Sequence, residues 1–184
     1  MHRLFIAIDF PPLVRAQLKL MCHGLPGARW MPEEQLHLTL RFIGEVEGAG
    51  MLDIQEALGR VSAPGFDLAL SGVGFFPPRG TPRVVWAGIQ DPAPLVTLRH
   101  RVDAALTDAG IPPEGRKYAP HVTLARLRDT PPRRVAEFLA HHNGFWTDPF
   151  PVMGFHLYES TLTPKGAIHN IIGSVPLGPR EEYS

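Results

Sequence analysis

An α+β fold with two related lobes is predicted by three observations. Strand-length apolar or alternating segments are interleaved with helix-length amphipathic ones. Neighbouring strand segments are joined closely enough for antiparallel pairing. A four-residue pattern, His-x-Thr-x, occurs once in each half of the chain, at His37 and at His121.

The elements follow in order. Residues 4–10 are short, apolar and closed by Pro11 and Pro12, as a buried strand would be. Pro12 suits the first turn of a helix to about Cys22, with Val14, Leu18 and Met21 on one face and Gly24, Pro26 and Gly27 ending it. Residues 36–46 form a second strand. Residues 48–61 read as a helix with Leu52, Ile54, Ala57, Leu58 and Val61 apolar. Residues 66–76 and 83–89 alternate as strands around a long proline-rich hairpin loop, 77–82. Residues 95–109 form a helix ended by Gly110 and Pro112. The theme then returns, with a strand at 121–127, a helix at 131–142 and strands at 150–160 and 167–177. The end, 178–184, is expected to be mobile.

Composition narrows the function. A chain of 184 residues, 44% hydrophobic, supports one domain over 1–184 whose two lobes share a core. Lys plus Arg equals Asp plus Glu at 18 each, so the basic surplus of a long-duplex binder is missing. Any nucleic-acid contact is therefore expected at a local basic cleft, with modest, salt-sensitive binding. Cys22 stands alone, which excludes an internal disulfide and a cysteine-rich metal site. The apolar stretch at the start is too short to span a bilayer. The expected address is the cytoplasm, with no membrane contact.

The repeat carries the chemistry. His37-Leu38-Thr39-Leu40 and His121-Val122-Thr123-Leu124 are separated by 121 − 37, or 84 residues. Strand side chains alternate in facing, so His37, Thr39 and Arg41 are expected on one face and Leu38, Leu40 and Phe42 on the other. His121 and Thr123 likewise oppose Val122 and Leu124. If the lobes face each other, two imidazoles and two hydroxyls converge. One neutral imidazole can accept a proton from water while a protonated partner gives one to a leaving oxygen. Thr39 and Thr123 can donate hydrogen bonds to phosphoryl oxygens as charge develops. Nothing in this scheme needs a metal or a cofactor.

At this point the residues resemble the 2H phosphoesterase superfamily. Residues 3–8, 36–44 and 120–126 are similar to its bacterial RNA 2′,3′-cyclic phosphodiesterase branch, first described as 2′-5′ RNA ligase, and the similarity runs to about Leu177. The resemblance implies a bilobal, pseudo-twofold fold with two antiparallel sheets around a central cleft and helices outside. It implies hydrolysis of 2′,3′-cyclic phosphate ends to 2′-phosphate, with weak reversible 2′-5′ ligation. It implies His37 as proton donor, His121 as proton acceptor and Arg126 as a phosphate contact. Strand parity opposes the last role, because Arg126 falls opposite His121 and Thr123 unless a bulge intervenes. Arg41 has the better parity. His169 stands where relatives commonly have tyrosine. Phe5 and Tyr118 are candidates for stacking a base.

The partner is then RNA with a 2′,3′-cyclic phosphate terminus, or a cyclic nucleotide, bound by a monomer whose two lobes complete the site. Two alternatives remain open: a non-catalytic RNA-end binding module, and a phosphodiesterase for another cyclic or 2′-5′ nucleotide. A metal hydrolase is disfavoured, since no His-Glu-x-x-His or acidic cluster accompanies either motif.

Overall fold

The computed structural model describes residues 1–181. The chain runs β1 (His2–Asp9), α1 (Pro12–Leu20), β2 (Ala28–Trp30), β3 (His37–Val46), α2 (Gly48–Gly59), β4 (Phe66–Leu68), β5 (Leu70–Phe76), β6 (Val84–Ile89), α3 (Ala93–Asp108), β7 (Val122–Leu127), α4 (Pro132–His142), β8 (Phe150–Val152), β9 (Gly154–Thr163) and β10 (Gly166–Pro176). Prolines open α1, α3 and α4 without a side-chain cap, their missing N–H falling where a helix has no partner for it.

Two four-stranded antiparallel sheets form the α+β fold, with orders β10-β9-β1-β3 and β2-β7-β6-β5, and β4 pairs with β8 apart from them. The repeat is visible in this layout. In the first sheet β1 pairs with the His37 strand β3, and in the second β6 pairs with the His121 strand β7. A helix follows each of these four strands. Helix α3 crosses over to pack on β3 and α2, while α4 packs on β5. The crossing chain therefore stitches the two sheets together.

One apolar cluster joins them. Leu4, Ile6, Ile8, Leu38 and Leu40 of the first sheet meet Val85, Ala87, Val122 and Leu124 of the second in a single core. Phe5, Ala7 and Tyr158 form a separate small cluster on the opposite face of the first sheet. Strand β1 is thus covered on both sides, which explains its unbroken apolar run.

Three expectations are revised. The strand expected at 66–76 breaks at Ala69 into β4 and β5, and the one at 150–160 breaks at Met153 into β8 and β9. Strand β2 is additional; at three residues it is too short to show a period. Gly27 makes it possible, since its positive φ of 74° and the close Arg128 carbonyl leave no room for a Cβ. The loose end expected from Gly178 fails for Gly178 and Arg180. Gly178 exchanges backbone hydrogen bonds of 2.8 Å with Ala63 and Gly65, and Arg180 pairs with Asp67 at 2.6 Å. Residues 182–184 lie outside the described residues.

Candidate active site

Strands β3 and β7 belong to different sheets yet lie against each other, so the two motifs meet. Tyr118, just ahead of β7, ties them by donating its hydroxyl to the Thr39 carbonyl at 2.9 Å. The reading of Tyr118 as a stacking surface is overturned here. Its hydroxyl is engaged, and the Arg99 guanidinium covers its ring at 4.3 Å.

A bulge sits at the same place in each motif strand. On β3, Ile6 pairs with Arg41 and Ala7 with Thr39, leaving Leu40 as an extra residue. On β7, Val85 pairs with Ala125 and Trp86 with Thr123, leaving Leu124 extra. A bulge residue reverses the facing of everything after it. Leu40 and Arg41 are therefore both buried, and Phe42 emerges 61% exposed on the side of Thr39. Leu124 and Ala125 are buried in the same way, and Arg126 emerges on the side of Thr123.

This corrects both parity readings. Arg41 does not share the face of His37. It is 3% exposed and donates to Asp103 Oδ1 at 2.7 Å, the Pro112 carbonyl at 2.6 Å and the Phe42 carbonyl at 3.2 Å. Arg99 bonds the same Asp103 and also Glu114, giving a closed four-charge network. That network fixes residues 112–118, the approach to β7, so Arg41 supports the site from behind. Arg126, opposed by simple alternation, does face the cleft. Phe42, expected in the core, is its counterpart in the other half.

The first sheet builds a wall behind His37. Its ring stacks on Phe5 at 5.1 Å and 22°, and Phe5 stacks in turn on Tyr158 at 5.0 Å and 5°. Tyr158 is held by donating to Asp9 Oδ1 at 2.6 Å. The His37 and Tyr158 rings also lie 5.7 Å from each other, so the three rings form a triangle, and Phe5, 4% exposed within it, positions His37 and does not offer a face to a base. Phe42, Phe5's cross-strand partner, is the open aromatic surface. His169 closes the group, edge-on to Phe5 at 4.9 Å and 5.7 Å from the His37 ring. Its Nδ1 is buried without a hydrogen-bond partner among the described residues. Burial lowers its pKa.

The two motif histidines have different surroundings. Burial pulls the His37 pKa from 6.5 to about 4, helped by His169 and opposed by Asp9. NMR titration of the free protein is expected to place the His37 transition near pH 4, and a bound phosphate anion should move it upward. A transition at 6.5 or above would contradict this. The unfolded chain protonates this histidine first. The stability it supports is therefore full above about pH 6.5 and is lost as pH falls towards 4, on the order of 3 kcal/mol. His121 is half-buried, and its Nδ1 stands 2.7 Å from the Ala119 carbonyl. A carbonyl only accepts, so Nδ1 carries the proton and Nε2 is left as a base. Phe76 meets this ring edge-on at 4.9 Å, and Trp86, lying over Gly74, approaches to 6.4 Å.

Among the described residues no three His, Cys, Asp or Glu side chains are gathered as a metal would need. The site therefore offers two imidazoles, two hydroxyls and one cleft-facing guanidinium, the groups a phosphodiester would engage.

A family model described as the 2′-5′ RNA ligase superfamily matches residues 16–162. The chain belongs to this superfamily. Curated relatives named RNA 2′,3′-cyclic phosphodiesterase include one from Archaeoglobus fulgidus, 33% identical over 170 residues and covering 91% of this chain and 96% of its own. Another, from Thermotoga maritima, is 36% identical over 177 residues and covers 92% of each. The crystal structure of Escherichia coli LigT in apo form superposes with a TM-score of 0.76 at 28% identity, covering 96% of this chain and 98% of that one. The α+β fold with two antiparallel sheets expected of the superfamily member is thus the one observed.

The structure brings the strands of both expected histidines and both expected threonines together. Phe42, Tyr158 and Asp9 stand near His37 without having been singled out in the sequence. The available signal was the offset of 84 residues, which aligns Leu40 with Leu124 and Phe42 with Arg126.

Proposed function

We propose that the chain hydrolyses RNA 2′,3′-cyclic phosphate ends to 2′-phosphates by paired-histidine acid–base catalysis, without a metal. The observation that carries this reading is the meeting of two motif strands, each with the same bulge, with the His121 tautomer set by Ala119. The names of the relatives support the substrate class.

In this reading the cyclic phosphate lies between β3 and β7. His121 Nε2 takes a proton from water as the water oxygen bonds to phosphorus. The P–O3′ bond breaks, and protonated His37 gives its proton to O3′, leaving a 2′-phosphate and a 3′-hydroxyl. Thr39 and Thr123 donate to the non-bridging oxygens, and Arg126 offers its fork to the RNA backbone beside them. His37 is mostly neutral in the free protein at neutral pH, so the phosphate anion itself is needed to raise its affinity for the proton. A 5′-hydroxyl in place of water would give weak 2′-5′ ligation by the same path.

Both histidines come from one chain, in keeping with a monomer. No described helix is long and apolar enough to cross a membrane. Cys22 has no partner cysteine, which accords with a reducing, cytoplasmic address.

The test is a short RNA ending in a 2′,3′-cyclic phosphate, incubated with the protein and a strong chelator. Turnover to a 2′-phosphate end is expected. Binding without turnover would instead make the chain an RNA-end binding module, and activity lost to the chelator would make it metal-dependent.

A further inference from the structure

We propose that Arg29 and Arg126 form a clamp for a second phosphate, the one linking the terminal nucleotide to its neighbour. The clamp makes the protein prefer oligoribonucleotide ends to cyclic mononucleotides. The inference rests on the cyclic-phosphate reading above and extends it from the reacting group to the chain behind it.

Strand β2 places Arg29 directly opposite Arg126 in the antiparallel register. Directly paired residues share a face, so Arg29 lies on the face that the bulge gives to Arg126, the face of His121 and Thr123. Two guanidiniums in direct cross-strand opposition repel unless an anion lies between them. The Arg126 partner on its other side is Val84, and β2 is the sheet edge, so neither neighbouring strand supplies a countercharge. Among the described residues neither arginine enters an ion pair or a side-chain hydrogen bond, in contrast to Arg41, Arg99, Arg134 and Arg180. Unpaired surface arginines are common. An unpaired pair held in register on a site-bearing face is not.

Arg29 also reaches across the cleft. A Cβ placed on Gly166 would stand 3.2 Å from Arg29 Nη2, so the guanidinium lies against the turn joining β9 and β10 of the opposite sheet, next to Lys165. The cleft is therefore cationic at this end although the whole chain is neutral. Distance separates this end from the reacting phosphate. Counted on the partner strand, across the bulge, Arg126 is two residues beyond Thr123, about 7 Å, and Arg29 lies a further strand spacing of about 4.8 Å to the side. An oxygen gripped by Arg29 thus belongs to the next phosphate along. Guanidinium forks suit a phosphodiester, which can accept from both. A cyclic mononucleotide has no second phosphate to offer.

The experiment compares kcat/KM for a short RNA with a 2′,3′-cyclic end and for a 2′,3′-cyclic mononucleotide, in wild type, Arg29→Ala and Arg29→Lys. Wild type should favour the oligonucleotide. Arg29→Ala should shrink that preference about tenfold, through KM, as expected for loss of one charge-assisted contact. The salt dependence of log kcat/KM for the oligonucleotide should become shallower by about 0.7. Arg29→Lys should recover part of the preference and most of the salt slope. The unfolding temperature shows whether each variant remains folded. An unchanged preference in a folded Arg29→Ala variant, or no wild-type preference, overturns the clamp alone. Wild-type turnover of neither substrate overturns the cyclic-phosphate reading and the clamp with it.

Discussion

Alanine in place of either His37 or His121 is expected to slow hydrolysis of a cyclic-phosphate RNA end by about 10²–10⁴-fold, the range for a positioned proton transfer. The two losses should differ in character. A donor is needed only when the leaving oxygen is a poor one. An aryl phosphodiester such as a nitrophenyl ester leaves without a proton, so His37→Ala should lose much less on that substrate, while His121→Ala should lose as much as before. The opposite pattern would exchange the two roles. The low proton affinity of free His37 gives that exchange a concrete form, since a neutral imidazole in the free protein is already a base. In the proposed reaction the two groups act in one step, so the combined His37→Ala, His121→Ala variant should fall little below the worse single variant.

Arg41→Ala is expected to destabilise the fold by about 3 kcal/mol, seen as a lower midpoint in chemical denaturation and a drop of about 10 °C in Tm. Removing one partner of a buried pair costs about 3–5 kcal/mol when it strands a charge. The lower end applies here, because Arg99 remains bonded to both Asp103 and Glu114 and those carboxylates keep some exposure. Had Arg41 faced the cleft as strand alternation suggests, the same variant would raise KM and leave Tm unchanged. That outcome would overturn the structural role derived from its bonds. Activity should also decline in the folded fraction, since the network holds residues 112–118 and through them the approach to His121.

The different fates of Arg41 and Arg126 show where local reasoning ends. Simple alternation places Arg41 in the cleft and leaves Arg126 out of it unless a bulge intervenes; the bulges reverse both. The rule holds within a regular strand, and it placed His37 with Thr39 and His121 with Thr123 correctly. Each bulge adds one residue against the partner strand, a property of the pairing and not of the strand's own sequence. Nothing in Leu-Arg-Phe or Leu-Ala-Arg announces it when read alone. Phe5 was legible as a residue of β1, but not as the platform beneath His37, because His37, Tyr158 and His169 come from three other strands.

By itself the sequence determined the α+β class, the order of the main strands and all four helices, the twofold repeat and the four motif side chains. These follow from periodicity, proline and glycine placement and an internal match, all of which act over a few residues. Only the tertiary structure decided which side chains reach the cleft beyond the motifs. It buried Arg41, released Phe42 and Arg126, engaged Tyr118, and brought Arg29 into register with Arg126. Each of these depends on how one strand pairs with another far away in the chain, and an extra residue in a ladder reverses facing without changing local propensity.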